Sequence, residues 1–291
     1  MDGRGENATA AMSDIAPAAA FRSRIGPGAD NRLAEAVVTL VETLGNLATR
    51  LNLSRQELRA TIGFLTDVGE ACSDQRQEWV LLADTLGLTT TVERLAVRRP
   101  DGATPNTLPG PFYRADAPLC ADGDSICMDG RGEPLAIRVL VTDLDGLPVP
   151  QALVEIWQAN GDGIYENQEP DLQPELNLRG QFRTGPDGRV SIRSVRPAGY
   201  TIPANGPVGQ LLGQLGIRLD RPAHLHFRIT APRFQRLTTH VFDRADPAIA
   251  RDPLFAVHPS LLTDFIEGPD GFLSTEFHFV LARARPGEEV V

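Results

Sequence analysis

The spacing of apolar residues changes once along this chain, and the change falls on a cluster of breakers. Before Arg99-Pro100-Asp101-Gly102 and Pro105 apolar residues recur at helical spacing; after it they alternate. Helices first and short strands afterwards make an α+β chain and not an alternating α/β one. From about Asn31, the residues Leu33, Val37, Leu40, Leu44, Leu47 and Leu51 form a narrow seam of near-heptad period. Ser54 and Glu57 have capping-box spacing and open a second helix with Leu58, Ile62, Leu65 and Val68 on one side. A third helix is expected around 77–86, carrying Trp79, Leu82 and Leu86, and a short fourth over 89–97. The seams have two readings, a small bundle packed on the main domain or a dimer interface, and the residues alone leave both open.

After the breakers, strands are expected over 135–142, 152–157, 181–184, 189–194, 223–231, 237–242 and 275–282. Turns stand at Asp145-Gly146 with Pro148 and at Asn160-Gly161-Asp162-Gly163. Many short strands with Gly and Pro punctuation predict an antiparallel β-sandwich, and there is no internal repeat. Residues 1–24, rich in Ala, Gly, Ser and Asp without a period, read as a mobile tail. The expected organisation is a tail over 1–24, a helical region over 25–100 and a β-sandwich catalytic domain over 101–291.

A net charge of −10 argues against a nucleic-acid surface or an anionic membrane as partner. All 28 basic residues are Arg, which excludes a lysine Schiff base and a lysine-dependent phosphate loop. The three Cys show neither metal-type spacing nor an even count, so they read as reduced thiols. No apolar run has the length of a membrane span, and no secretory signal is visible; the expectation is a cytoplasmic protein.

The segment Arg221-Pro222-Ala223-His224-Leu225-His226-Phe227-Arg228-Ile229 alternates strictly. A strand places Leu225, Phe227, Ile229 and Ala231 on one face and His224, His226, Arg228 and Thr230 on the other. Two imidazoles two residues apart can grip one metal ion, although an isolated pair of this kind is more often an ordinary strand face. The chain's three Tyr shift the balance. Tyr165 and Tyr200 each sit in a loop after an expected strand, and the histidine strand follows, so all four can converge at one end of a sandwich. Phenol, with a pKa of about 10, is a poor ligand for divalent ions at neutral pH. A hard trivalent ion can displace its proton, so two phenols with two imidazoles point to Fe(III) rather than to the Fe(II) of a two-His-one-carboxylate site.

Tyr165, Tyr200, His224 and His226 stand in the contexts Glu155-Ile156-Trp157-Gln158-Ala159-Asn160, Tyr200-Thr201-Ile202-Pro203 with Gly206-Pro207-Val208-Gly209, and Arg221-Pro222-Ala223-His224-Leu225-His226-Phe227. In these contexts the chain resembles the intradiol ring-cleavage dioxygenases of the catechol 1,2-dioxygenase type, over about residues 30–285. Leu108-Pro109-Gly110-Pro111-Phe112-Tyr113, Trp157-Gln158, Ile202-Pro203 and Thr239-His240-Val241-Phe242 bring it nearest the branch that cleaves hydroxyquinol (1,2,4-trihydroxybenzene). Asp252 to Val257 with Ser260-Leu261 also fits.

The resemblance implies a β-sandwich holding one non-haem Fe(III) per chain through Tyr165, Tyr200, His224 and His226. It implies a helical N-terminal part that forms a homodimer and holds a phospholipid. The substrates would be an aromatic diol or triol and O2, opened between the two hydroxylated carbons to 3-hydroxy-cis,cis-muconate and maleylacetate. Tyr200 would leave the metal and take up a proton, and Arg221 would stabilise negative charge on the substrate. Leu81, Asp84, Leu108, Pro109, Gly110, Pro111, Phe112, Ile202 and Pro203 would wall the pocket, with Asp84 meeting the third hydroxyl. Gly216 to Asp220, Arg233-Phe234 and Arg244-Ala245-Asp246 depart from the family pattern; none touches the four ligands, but they bear on ring-substituent specificity.

Three alternatives follow from the same residues. Cleavage of catechol to cis,cis-muconate is the rival within the family. A cupin-type Fe(II) or Mn site also begins with a His-X-His pair but needs a Glu soon after, and none lies between His226 and Glu267. A β-sandwich binding module without metal would have no use for the four donors and Arg221. His240, His258 and His278 are left as structural.

Overall fold

The computed structural model describes residues 16–73, 76–96, 98–268 and 271–284. It divides into two compact units between Asp67 and Val68. The first contains α1 (Pro17–Arg22), α2 (Asn31–Leu51) and most of α3 (Arg55–Glu70). Of the expected tail, residues 1–15 lie outside the described residues, and Pro17–Arg22 is a helix instead. Proline opens it, followed by three alanines, the best helix former. Asp30 caps α2 by accepting from Leu33 N at 2.7 Å, and Asn52 ends it in the left-handed region. The capping box at α3 is formed: Ser54 N donates to Glu57 at 2.8 Å and Glu57 N to Ser54 Oγ at 3.2 Å. Leu33, Leu40, Leu44, Leu47 and Leu51 are all exposed along α2, as are Leu58, Ile62 and Leu65 on α3.

The second unit begins earlier than the breakers at 99–105. It takes in α4 (Glu78–Thr85) and α5 (Leu88–Ala96), which sequence alone groups with the helical region. Long-range polar contacts explain this. Thr90 Oγ1 on α5 donates to the Leu254 carbonyl at 2.9 Å, and the buried Glu78 carboxylate accepts from Val208 N at 3.0 Å.

Two sheets carry the rest. One has the strand order β10-β11-β1-β4 and includes β1 (Pro134–Asp143), β4 (Arg189–Val195), β10 (Ile266–Glu267) and β11 (Leu273–Leu281). The other has the order β3-β2-β7-β8-β9 and includes β2 (Leu153–Trp157), β3 (Arg179–Arg183), β7 (His224–Thr230), β8 (Leu237–Asp243) and β9 (Leu262–Thr263). Their inner faces meet through side chains such as Phe227 and Phe279, whose ring centroids lie 4.9 Å apart. The sandwich is not purely antiparallel as expected: β1 runs parallel to β11, and β8 to β9. Leu225, Phe227 and Ile229 of β7 are fully buried on the core side, as the alternation predicts. A two-residue ribbon pairs β5 (Tyr200–Thr201) with β6 (Asp220–Arg221). Between these lies α6 (Pro207–Gln214), unforeseen from the sequence because Gly209 and Gly213 weaken its helical signal; Pro207 at the first position starts it.

Candidate metal centre

β7 is the middle strand of its sheet's functional end, and cross-strand pairing decides what surrounds its histidines. His226 pairs with Trp157 on β2 and with His240 on β8. The indole stacks on the imidazole at 4.8 Å between centroids and 11° between planes. The His240 ring lies 4.2 Å from that of His226 and 5.0 Å from that of His224. His224 Nδ1 sits 2.7 Å from the Pro222 carbonyl. A carbonyl only accepts, so this nitrogen carries the proton and Nε2 presents a bare lone pair.

Tyr165 arrives on the turn Asn160–Gly163, where Asn160 Oδ1 accepts from Asp162 N and Ile164 N at 2.9 and 3.0 Å. Tyr200 opens β5, and its ladder partner is Arg221 on β6. That register lets Arg221 Nη1 donate to Tyr200 Oη at 3.1 Å while Nε donates to Asp252 at 3.2 Å. The four candidate donors therefore converge: Tyr165 and Tyr200 at 5.9 Å between centroids, Tyr200 and His224 at 5.5 Å, His224 and His226 at 4.9 Å, and Tyr165 and His226 at 6.4 Å. Tyr165, His224, His226 and Arg221 are fully buried.

Burial sets the electrostatics. It pushes the Tyr165 phenol well above its ordinary value, with the Tyr200 oxygen beside it adding to the effect. It pushes His224 and His226 well below theirs, with the Arg221 cation adding to it at both rings and His224 adding to it at His226, so both rings are neutral and can act as ligands. Tyr165 Oη, His224 Nε2 and His226 Nδ1 are buried without a hydrogen-bond partner. Burying a polar atom unpaired costs about 1–3 kcal/mol. Several such atoms in one place, on residue types that ligate metals, fit a bound cation.

The pocket-wall residues divide. Gly110 lies against His226, where an added Cβ would sit 3.3 Å from the ring carbon Cε1. Phe112 stacks on Tyr165 at 4.1 Å and 22°. Leu108 and Ile202 are buried, Pro109 is half-buried, and Pro111 and Pro203 are exposed. Asp84 on α4 is buried within electrostatic reach of Arg221; burial pushes its carboxyl up, and Oδ1 has no partner. Leu81 lies three residues earlier on the same helix face.

Sequence reasoning missed three parts of the site. His240, set aside as structural, brings a third buried imidazole whose ring nitrogen lies within 4.8 Å of those of His224 and His226. Thr107 Oγ1 bonds its Nδ1, leaving Nε2 without a partner. Arg179 and Glu166 form a buried two-pronged ion pair at 2.7 and 2.8 Å, and Arg179 also donates to the Phe112 carbonyl. Trp157 was visible only as a motif letter.

Residues 108–283 match the family model described as dioxygenase, and residues 30–104 match that of the catechol dioxygenase N terminus. A hydroxyquinol 1,2-dioxygenase of Rhizobium sp. (strain MTP-10005) is 42% identical over 266 residues, 87% of this chain and 90% of the relative. This chain belongs to the intradiol ring-cleavage dioxygenases. Among solved intradiol dioxygenases, a hydroxyquinol 1,2-dioxygenase from Pseudomonas putida DLL-E4 superposes with a TM-score of 0.87 at 33% identity, covering 96% of this chain and all of that one. A catechol 1,2-dioxygenase from Acinetobacter radioresistens gives 0.78 at 27% identity, over 94% and 95%. Among the described residues of this intradiol dioxygenase, no helix is long and apolar enough to cross a membrane.

Proposed function

We propose that this chain opens hydroxyquinol between its two adjacent hydroxylated carbons with O2, giving 3-hydroxy-cis,cis-muconate and then maleylacetate, at one non-haem Fe(III) per chain. The observation that carries the reading is the convergence of half-buried Tyr200 with buried Tyr165, His224 and His226, each of which has a donor atom without a partner. Two phenolates favour a hard trivalent ion, and two neutral imidazoles complete a set that leaves room for a diol. Ferric iron, when bound, supplies the charge that acidifies the diol hydroxyls and makes the ring reactive toward dioxygen.

The chain's own groups do the remainder. Tyr200 Oη takes up a diol proton; the Arg221 hydrogen bond at 3.1 Å holds that oxygen in place and turns it toward the pocket. Arg221 Nη2, buried and without a partner, is free to donate to a ring oxygen as negative charge develops there. Asp252 fixes the guanidinium from behind. Phe112 and Ile202 exclude water from the ring. Asp84 Oδ1 accepts from the third hydroxyl, which favours hydroxyquinol over catechol.

The visible spectrum of the purified protein, before and after anaerobic hydroxyquinol, tests the reading. A broad phenolate-to-iron band that shifts on addition is the expected result. A protein that stays colourless after reconstitution with ferric iron would sink it.

The same reading makes the exposed leucine seam of α2 a homodimer interface with room for a phospholipid among the helices. Leu40→Glu with Leu44→Glu should give a monomer by native mass spectrometry, and an unchanged dimer would remove the seam from the interface. It also places the chain in the cytoplasm, where the unpaired thiols of Cys72, Cys120 and Cys127 stay reduced.

A further inference from the structure

The ferric reading uses two of the three imidazoles at the site and gives the third no part. His240 is fully buried, and one ring nitrogen from each of His224, His226 and His240 lies within 4.8 Å of the other two. The arrangement comes from strand register. His224 and His226 share one face of β7, and β8 delivers His240 opposite His226 in the ladder. Two of the three rings are aimed from behind. The Pro222 carbonyl engages Nδ1 of His224, and Thr107 Oγ1 engages Nδ1 of His240, which leaves Nε2 of both buried without a partner. A polar atom behind each ligating ring is the usual support of a histidine metal site.

We propose that His224, His226 and His240 form a second coordination set, a three-imidazole site for divalent cations such as Zn2+ and Co2+, which shares two ligands with the ferric set and excludes it. The selection follows from donor chemistry. A divalent ion at neutral pH leaves phenols protonated, so Tyr165 and Tyr200 offer it little. Three neutral imidazoles with an open fourth position are a complete first shell for tetrahedral zinc. His240 comes from β8, opposite His226 in the ladder, whereas Tyr165 follows the turn at Gly163 and Tyr200 opens β5. A zinc ion held by the three imidazoles would need neither phenol. The site would discriminate by charge: a trivalent ion is drawn to the tyrosines, a divalent one to His240.

The inference shares its pocket with the ferric reading but does not rest on it, and the experiment separates them. Full-length apoprotein, prepared by chelation, is titrated with Zn2+ against a chromophoric chelator and, in parallel, with ferric iron while the visible spectrum is followed. His240→Gln is carried through both arms. Wild type should take up one zinc, and His240→Gln should bind it about tenfold or more weakly, the scale on which even outer-shell partners alter metal affinity. The ferric band should form in both. Equal zinc affinity in a His240→Gln protein that still gains the ferric band overturns the proposal. X-ray absorption of the zinc-loaded wild type decides independently of any variant: scattering from three imidazoles supports the site, and two imidazoles with phenolate oxygen overturn it. A protein that binds zinc through three imidazoles yet never gains a ferric band would instead remove the ferric reading and leave this one standing.

Discussion

Gly163 lies directly against Gly199: a Cβ added to Gly163 would sit 2.5 Å from the Gly199 carbonyl oxygen and 3.1 Å from Tyr200 Cβ. The loops that carry Tyr165 and Tyr200 are therefore in backbone contact, and the separation of the two phenols is set there. Gly163 also has φ +81°, where an L side chain is strained. Gly163→Ala should push the loops apart and destabilise the protein by about 1–3 kcal/mol. The expected result is a lower ferric content and a weakened phenolate band at unchanged helical circular dichroism. A variant with full iron and an unaltered band would show that the contact does not set the Tyr165 position.

The Glu166–Arg179 pair should behave as a positioning device. Glu166 follows Tyr165, and Arg179 reaches both that carboxylate and the Phe112 carbonyl, so one buried cation holds the ligand turn and the ring stacked on it. Arg179→Met leaves the buried Glu166 carboxylate with only Arg114 Nη1 at 3.8 Å as a cationic neighbour, at a cost of up to about 3–5 kcal/mol. Adding Glu166→Leu removes that charge and should restore most of the melting temperature. KM for hydroxyquinol should stay raised in the double variant, because the Phe112 carbonyl has lost its donor and only the stacking on Tyr165 remains to hold the ring. Recovery of both stability and KM would make the pair structural only.

Much of this site could be read from the sequence because period-2 alternation is local. His224 and His226 share a face whatever β7 pairs with, and Leu225, Phe227 and Ile229 must then fill the core. The phenol pair was legible as donor chemistry, without knowledge of where the loops go. His240 was not legible, since its place depends on the β7–β8 register, which the six-residue connection after Thr230 decides. The parallel pairing of β1 with β11 joins segments far apart in sequence, and no local pattern marks it. The grouping of α4 and α5 with the sandwich rests on single contacts such as Thr90 to Leu254. Arg179 reads as an ordinary strand charge until its partners are seen.

Stability of the metal-free protein should fall on the acid side of neutrality. His224, His226 and His240 have folded pKa values well below the unfolded value of about 6.5, because burial disfavours the imidazolium. Below that pH the unfolded chain binds protons that the folded chain does not. Stability then rises with pH, and it is lost as pH falls through the unfolded value, by up to about 1.4 kcal/mol per unit for each ring. Urea unfolding of apoprotein between pH 7.5 and pH 5 measures this. Bound metal should raise stability without reducing this slope, because the folded rings take up no proton with or without it. A flat apoprotein profile would mean the rings are already charged or open to water.

Asp84 gives the sharpest separation of hydroxyquinol from catechol. Its carboxyl is buried, pushed up by that burial, and Oδ1 is without a partner. Asp84→Ala should keep the iron band and lower kcat/KM for hydroxyquinol by about tenfold or more, the worth of one hydrogen bond to a charged group. Catechol, which lacks the third hydroxyl, should be affected little. Equal losses on both substrates would place Asp84 in support of Arg221 rather than in contact with the ring.

Arg221 carries the strongest expectation for turnover. Burial opposes its charge, but Tyr200 and Asp252 outweigh that cost and keep it cationic, and its fork is divided between them. Arg221→Lys keeps the charge and loses the fork: an ammonium cannot hold Asp252, Tyr200 Oη and a substrate oxygen at fixed angles together. The variant should fold and bind ferric iron, because none of the four ligands is altered. Its phenolate band should shift, since Tyr200 loses a donor. Hydroxyquinol binding, followed anaerobically by the spectral change, should weaken only modestly, whereas kcat should drop about 100-fold, the scale for losing one preorganised donor to developing charge. A loss confined to KM would assign Arg221 to ground-state binding alone.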